Sequence, residues 1–281
     1  MLVSVIIPTY NEEQSIKDCL ESLAKQSFGD FEVIVVDDGS TDNTVTIIKS
    51  LITNHPSLII LLLQKHKGPG AARNLGVKEA GGEILVFVDA DMTFDKNFLK
   101  NLIRPIDAGK TKGTFSKDEY VSNWGNVWAR CWNINEGWEK GRRHPKNYPD
   151  KQKVFRAILK SEFDKVEGFD SKAGYNDDWS LSEKLGYGAI SAPGAIFYHN
   201  NPDTLKEIFE QSMWVGKRKY KLGIIGIFVS LIRASLPISL VTGLIKAFMK
   251  KTSRFIVFKV VYDFGLFIGI SQSLVSKNWA K

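Results

Sequence analysis

VFVDADMTF, residues 86–94, is an apolar run that ends in two carboxylates, Asp89 and Asp91, one residue apart. It closes a series of similar runs: LVSVIIP (2–8), FEVIVVDD (31–38) and LIILLLQ (58–64) come before it, and EILVFVDAD (83–91) contains its own strand. Helical patterns lie between them. Ile16, Leu20 and Leu23 recur at helical spacing. In the turn DGSTDN, Asp42 stands where a cap would open a helix carrying Val45, Ile48 and Leu51 or Ile52. GPGAARNLGVKEA then reads as a glycine turn and a third helix. Strand and helix alternating in this way predict an α/β fold with a mostly parallel sheet, whose continuous apolar strands are buried on both faces.

In open parallel sheets, ligands collect beyond the carboxyl ends of the strands. The polar stretches Thr9 to Glu12, Asp37 to Ser40, Lys65 to Arg73 and Asp89 to Asp91 all stand at such ends, so they are expected to meet in one crevice. If the backbone stays extended, Asp89 and Asp91 point the same way. Two adjacent carboxylates are costly to keep ionised without a cation, and Mg²⁺ or Mn²⁺ takes oxygen ligands and bridges to phosphates. A D-x-D that merely turns the chain is the plain alternative, and the surrounding motifs decide between them.

At 281 residues, 43% hydrophobic and 25% charged, the chain can bury a large core and is not disordered in composition. Cys19 and Cys131 have neither metal nor redox spacing and are expected to be reduced thiols. The apolar run Leu2–Ile7 before Pro8 is too short for a signal peptide or anchor. The net charge of +7 is unevenly placed: Lys206 to Lys281 holds 13 basic and 3 acidic residues, leaving 25 basic and 28 acidic upstream. The tail is therefore +10 and the front −3. Because the basic clusters flank long apolar stretches, a membrane with anionic lipids is the expected partner and nucleic acid is not.

PTYNEE (8–13), VVDDGSTDNT (35–44), GPGAARNLG (68–76), DAD (89–91) and NDDW (176–179) occur in an order that resembles the family 2 nucleotide-sugar glycosyltransferases over roughly the first 215 residues. The resemblance implies a GT-A fold, a Rossmann-like domain binding a nucleotide-diphosphate sugar through Mg²⁺ or Mn²⁺. It places Thr9, Glu12 and Asp38 on the nucleoside, with Pro8, Tyr10, Gly39, Asp89 and Ala90 beside them. Asp37 is read as holding its own turn. Lys67 and Gly70 form the phosphate-proximal loop, where a helix N-terminus favours an anion and Arg73 can add a guanidinium contact. Arg73 stands where a dinucleotide fingerprint has its third glycine, which disfavours a nicotinamide enzyme. Asp89 and Asp91 are the implied metal ligands, with His199 as a third.

The pair Asp177–Asp178 before Trp179 resembles the family's catalytic base motif, which implies Asp178 as base and Asp177 as its neighbour, in place of the usual Glu. An N-cap pair opening the helix SLSEKL is the competing reading. A base suits a hydroxyl acceptor, since a lipid phosphate is already an anionic nucleophile. Trp124 and Trp128, with Trp179, are candidate acceptor platforms. The 124, 128, 132 spacing is equally a packed helical stripe.

LGIIGIFVSLIRASLPISLVTGLI (222–245) and FIVFKVVYDFGLFIGISQSLV (255–275) are each long enough to cross a bilayer. Arg233 and Pro237 interrupt the first, Lys259 and Asp263 the second, and both flanks are basic, including Lys277 and Lys281. Interfacial or re-entrant helices on the cytoplasmic face are therefore expected in preference to two spans. The expected division is a glycosyltransferase domain at 1–215, with a nucleotide-sugar half (1–112) and an acceptor half (113–215), followed by a membrane-attachment region at 216–281. The expected activity is inverting transfer of a sugar, UDP-linked by preference, to a hydroxyl of a lipid-linked or cell-surface glycan. A polyprenyl-phosphate glycosyl synthase, a nucleotidyltransferase and a non-catalytic glycan- or membrane-binding module stay open at this point.

Overall fold

The computed structural model describes residues 2–55, 58–171, 177–218 and 220–276, without the side chains of Asp177 and Ser276. The chain forms β1 (Val3–Thr9), α1 (Ile16–Ala24), β2 (Phe31–Asp37), α2 (Thr44–Asn54), β3 (Ile59–Leu63), α3 (Pro69–Glu79) and β4 (Ile84–Phe87). These are the predicted alternating elements. There follow β5 (Met92–Phe94), α4 (Phe98–Asp107), β6 (Gly113–Phe115), β7 (Glu119–Val121), α5 (Val127–Glu136), β8 (Lys151–Gln152), β9 (Ala157–Leu159), α6 (Lys160–Lys165), α7 (Asp177–Leu185), β10 (Ala189–Ser191) and β11 (Phe197–His199). The tail forms α8 (Leu205–Gly216), α9 (Gly223–Arg233), α10 (Leu236–Met249) and α11 (Phe255–Ser276).

The chain divides into two compact units. One comprises residues up to Tyr120 with Asn147–His199, and the other Val121–Lys146 with Asn200 onward. Residues 121–146 and 200–215 thus group with the tail helices.

In the first unit, an eight-stranded sheet has the order β3-β2-β1-β4-β9-β6-β10-β8, and a smaller one the order β5-β11-β7. Strands β1 to β4 are parallel, with Thr9 opposite Asp37 at their carboxyl ends. Alternate residues pack on opposite faces. Val5, Ile7, Val33 and Val35 join Ile16, Leu20, Leu23 and Ile48 of the helices on one side. Ile6, Ile34, Val36 and Leu85 join Ala72 and Val77 of α3 on the other. Two-faced burial is the reason these strands read as continuous apolar runs. The expectation fails for β3, an edge strand whose Ile60 and Leu63 are exposed. In the turn before α2, Asp42 accepts hydrogen bonds from both the backbone N–H and the hydroxyl of Thr44, acting from one position before the formal N-cap, Asn43. Gly76 lets α3 lie close on the sheet, since a Cβ there would come within 2.7 Å of Ile6.

The second unit is built from α5 and α8–α11. Cys131 and Trp132 of α5 pack with Ile208, Phe255, Phe258 and Tyr262. Both cysteines are free and buried. The apolar stretch 222–245 is not one helix: α9 and α10 are bent by 66° at a short break. Pro237 explains the break, because its ring and missing N–H prevent the helix from running on through Arg233.

Candidate active site

The carboxyl ends of the strands form a cleft of about 320 Å³ lined by Pro8, Thr9, Tyr10, Glu12, Asp38, His66, Pro69, Asp89, Ala90, Asp91 and His199. Seven of the predicted nucleotide-sugar residues and all three predicted metal ligands are in that lining. The crevice forms because β1 and β2 end in register and the chain leaves β1, β2 and β4 on the same side of the sheet.

Asp38 is almost fully buried, and its carboxylate organises the neighbouring loop. Oδ1 accepts from Gln64 Nε2 (2.6 Å) and Lys67 N (2.8 Å), and Oδ2 accepts from Gly68 N (2.8 Å). His66 Nδ1 lies 3.0 Å from Oδ2. Lys67 and Gly70 are not in the cleft lining: Lys67 lies in the turn before α3, where Gly68 adopts φ +91°, and Gly70 is buried in the first turn of α3. Gly39, at φ +83°, fits against the backbone N of His66 at 3.1 Å from where a Cβ would sit. Asp37 holds its turn as expected, with Oδ2 accepting from the N–H groups of Gly39 and Ser40. The rings of Tyr10 and His66 lie 4.3 Å apart at 37°, giving the cleft an aromatic wall. His66 was not among the sequence candidates. Its only signal was its position beside the glycine turn.

Asp89 and Asp91 do not address one point. Strand β4 ends at Phe87, and Asp89-Ala90-Asp91 is a turn closed by Met92 N donating to Asp89 O (3.3 Å). The same-side expectation rested on an extended backbone, and the turn sends the two side chains to different partners. Asp89 accepts from Arg73 Nη2 (2.9 Å) at Oδ1 and from Arg156 Nη1 (3.1 Å) at Oδ2. Burial works against its ionisation, but the guanidinium groups of Arg156 and Arg73 together outweigh it and hold the carboxyl well below the usual range. Asp91 Oδ2 lies 2.7 Å from His199 Nε2, and His199 Nδ1 lies 3.1 Å from Glu119 Oε1. This carboxylate–imidazole–carboxylate chain has the arrangement in which an outer acid fixes the tautomer of a ligating histidine. Burial pushes the pKa of Glu12 up, and the nearby charges of Asp91 and Asp89 add to that, against a hydrogen bond from Ser15. Glu12, Asp89 and Asp91 thus stand close enough in the cleft to influence one another's charge.

Arg73 is buried and bridges two acids, with Nη1 2.6 Å from Asp178 Oδ1 and Nη2 on Asp89. It lies behind the cleft lining and is engaged by carboxylates. Asp178 opens α7 beside Asp177, whose side chain lies outside the described residues. Trp179 is exposed, with Lys153 Nζ 5.2 Å from its ring centre. Trp124 and Trp128 belong to the second unit, where Arg254 stacks on Trp128 and Trp132 faces Phe258 and Tyr262. Arg156 and Glu119 were missed because each reaches its partner across a long sequence gap from a strand of three residues or its flank.

Residues 4–166 match the model of glycosyl transferase family 2. The chain belongs to this family. Over 110 residues it is 46% identical to the poly(ribitol-phosphate) beta-N-acetylglucosaminyltransferase TarS of Staphylococcus aureus, a match covering 38% of this chain and 19% of TarS. It is 39% identical over 106 residues to glycosyltransferase AglE of Haloferax volcanii, covering 37% of this chain and 35% of AglE. The matched region thus spans between about a fifth and a third of these relatives. Among solved structures, the mannosyltransferase PcManGT of Pyrobaculum calidifontis, in complex with GDP-Man and Mn²⁺, aligns with a TM-score of 0.64 at 20% identity, covering 98% of this chain and 88% of that one. S. aureus TarS 1–349 in complex with UDP aligns at 0.57 and 19%, covering 100% and 93%. These likenesses show the GT-A fold.

Among the described residues, no group of three or more His, Cys, Asp and Glu side chains is arranged around a common point. The paired oxygen and imidazole donors of Asp91 and His199, opening into a cleft that also holds Glu12, do fit a Mn²⁺ or Mg²⁺ ion whose other ligands come from a substrate.

Proposed function

We propose that this family 2 chain is a metal-dependent inverting glycosyltransferase. It moves a sugar from a nucleotide-diphosphate donor, UDP-linked by preference, to a hydroxyl of a lipid-linked or surface glycan at the cytoplasmic face of a membrane. The observation that carries this reading is the cleft itself, with an aromatic wall and the Asp38-organised loop at one side and the Asp91–His199 pair at the other. Tyr10 and His66 offer ring faces to the base, and Thr9 and Glu12 offer polar groups to the nucleoside. Asp91 and His199 would hold the metal, which when bound neutralises the donor diphosphate and stabilises it as it leaves. The preference for UDP draws on TarS, solved with UDP and UDP-GlcNAc, and the metal on PcManGT, solved with Mn²⁺.

Asp178 is assigned as the base that accepts the acceptor hydroxyl's proton as the oxygen attacks the anomeric carbon. Arg73, holding Asp178 and Asp89 with one guanidinium, fixes the base relative to the metal-binding turn. Trp179, exposed beside Asp178, offers a ring face on which an acceptor sugar could stack.

Thermal stabilisation by UDP and by GDP, each with Mn²⁺ or EDTA, tests the donor site without the acceptor. A metal-dependent shift with one diphosphate is expected, and Asp91→Ala should abolish its metal-dependent part. Asp178→Asn should keep the shift and reduce transfer by about 10²–10⁴. Undiminished transfer in Asp178→Asn would redirect the assignment to a lipid-phosphate acceptor, which needs no base. No shift with either nucleotide would refute a donor site in this cleft.

A further inference from the structure

The helical unit has its polarity inverted on one side. Helices α9 and α10 expose Ile224, Ile225, Phe228, Leu244, Ile245 and Phe248, with Phe248 87% exposed. The α10 residues turned inward are small or polar: Ser239, Gly243 and Ala247 are its buried positions. Ser239 Oγ donates to Asp263 Oδ2 (2.6 Å), and Lys259 Nζ donates to Asp263 Oδ1 (2.7 Å). The charges that interrupt the apolar sequence of α11 are therefore satisfied inside the unit. Large apolar side chains outside and small or hydrogen-bonded ones inside form the pattern of helices whose outer solvent is lipid.

Two observations choose the occupant. From Gln211 to Tyr262 the sequence holds ten Lys and Arg and no Asp or Glu. Lys221, Arg233, Lys250, Lys251 and Arg254 are all exposed around α9 and α10. A second copy of this chain would bring like charges together over the apolar face, whereas anionic headgroups complement them.

The packing of α11 limits how deep the unit goes. By length and composition α11 is able to cross a membrane. Its middle, however, is held against α8: a Cβ at Gly265 would come within 2.1 Å of Ser212 Oγ and 2.6 Å of Phe209 O, and one at Gly269 within 1.9 Å of Met213 O. At this level α8 carries Lys206 and Glu210, both strongly exposed. A transmembrane α11 would draw these charges into the hydrocarbon, which strongly disfavours charged side chains.

We infer that α9 and α10 form a wedge that inserts into one leaflet of an anionic bilayer, while α11 stays packed along α8 and does not span. This extends the membrane part of the proposed function and is independent of sugar transfer. The full chain is tested by flotation with vesicles of phosphatidylcholine alone and with about a third phosphatidylglycerol. Binding should require the anionic lipid, fall with salt, and drop about tenfold in Phe228→Gln/Phe248→Gln, whose side chains are already exposed. The vesicle-bound protein should be released by alkaline carbonate, and a protease added outside should leave no protected α11 fragment. The UDP-dependent thermal shift of the same variant, expected unchanged, reports the cleft separately and shows that the protein is folded. A protected α11 fragment would overturn the inference in favour of a span. Failure to float, with dimerisation abolished by the double substitution, would assign the face to a second copy.

Discussion

The two units handle buried charge and exposed carbon in opposite ways. In the α/β unit, apolar strands are covered on both faces, and charges gather at the strand ends, where Arg73 and Arg156 are set against Asp89 and Asp178. In the helical unit, apolar side chains of α9 and α10 face outward, and the Lys259–Asp263–Ser239 cluster lies within. The same composition, an apolar stretch interrupted by a charge, thus has two meanings. In the first unit the charge marks where the core stops and the site begins. In the second it marks the protein-facing side of a helix whose other side is apolar.

The largest expected effect breaks the comparison at Arg73. Its guanidinium is buried and bonded to two acids, so Arg73→Met leaves Asp178 without this partner and Asp89 with Arg156 alone. Only the arginine is buried, while the two acids are 34% and 39% exposed, so its removal costs about 3 kcal/mol, the low end for a broken buried pair and still more than the pair would contribute at the surface. Urea unfolding should show this as a lower midpoint with an unchanged slope. A loss under about 1 kcal/mol would mean that the cluster is solvated and that the fixed geometry assigned to Asp178 is wrong.

The next effect tests the other unit through backbone packing. Gly269→Val would place a side chain where Met213 O already lies within 1.9 Å of a Cβ, and a backbone carbonyl cannot turn aside as a side chain would. We expect a loss of about 3 kcal/mol, at the upper end of overpacking costs. If the two units are energetically separate, this variant in detergent should lose helical-unit structure while keeping the UDP-dependent thermal shift. A variant of wild-type stability would show that α8 and α11 are not in the close contact on which the non-spanning reading depends.

These residues also show what a sequence conveys. Strands β1 to β4 were legible because each is a continuous apolar run, buried on both faces in β1, β2 and β4 though not in the edge strand β3, and the cleft was legible because their polar ends fall in register. The rest of the sheet was not, since β6, β9 and β10 have three residues each and β8 two, too few to display a period. Arg156 and Glu119 sit on or beside such short strands, so the partners of Asp89 and His199 left no local signal. The D-x-D pair was found by motif but misread in geometry, because nothing in VFVDADMTF marks where the strand yields to a turn at Val88. The tail was legible as apolar and basic. Which side of each helix faced inward depended on tertiary pairs such as Ser239 with Asp263.

The smallest expected effect sharpens the contrast within the first unit, at an acid whose partners face water. Glu162 accepts from Lys165 Nζ (2.5 Å) and Tyr187 Oη (3.0 Å) and pairs with Lys112 at 3.0 Å. Hydrogen bonds from Lys165 and Lys112 lead in lowering its pKa to about 2, against a smaller opposing effect of burial. Because the folded value lies below the unfolded one, the stabilisation is fully present above the ordinary glutamate range and is lost as pH falls toward about 2. Both lysines are mostly exposed, so screening limits the contribution to about 1 kcal/mol or less. Glu162→Gln should therefore be slightly less stable than wild type at neutral pH, and the two should converge on acidification. Added salt should narrow the gap at neutral pH, whereas it should leave the Arg73→Met loss almost untouched. Equal salt sensitivity of the two variants would show that the Arg73 cluster, like Glu162, is open to solvent, and the distinction between strand-end network and surface pair would then fail.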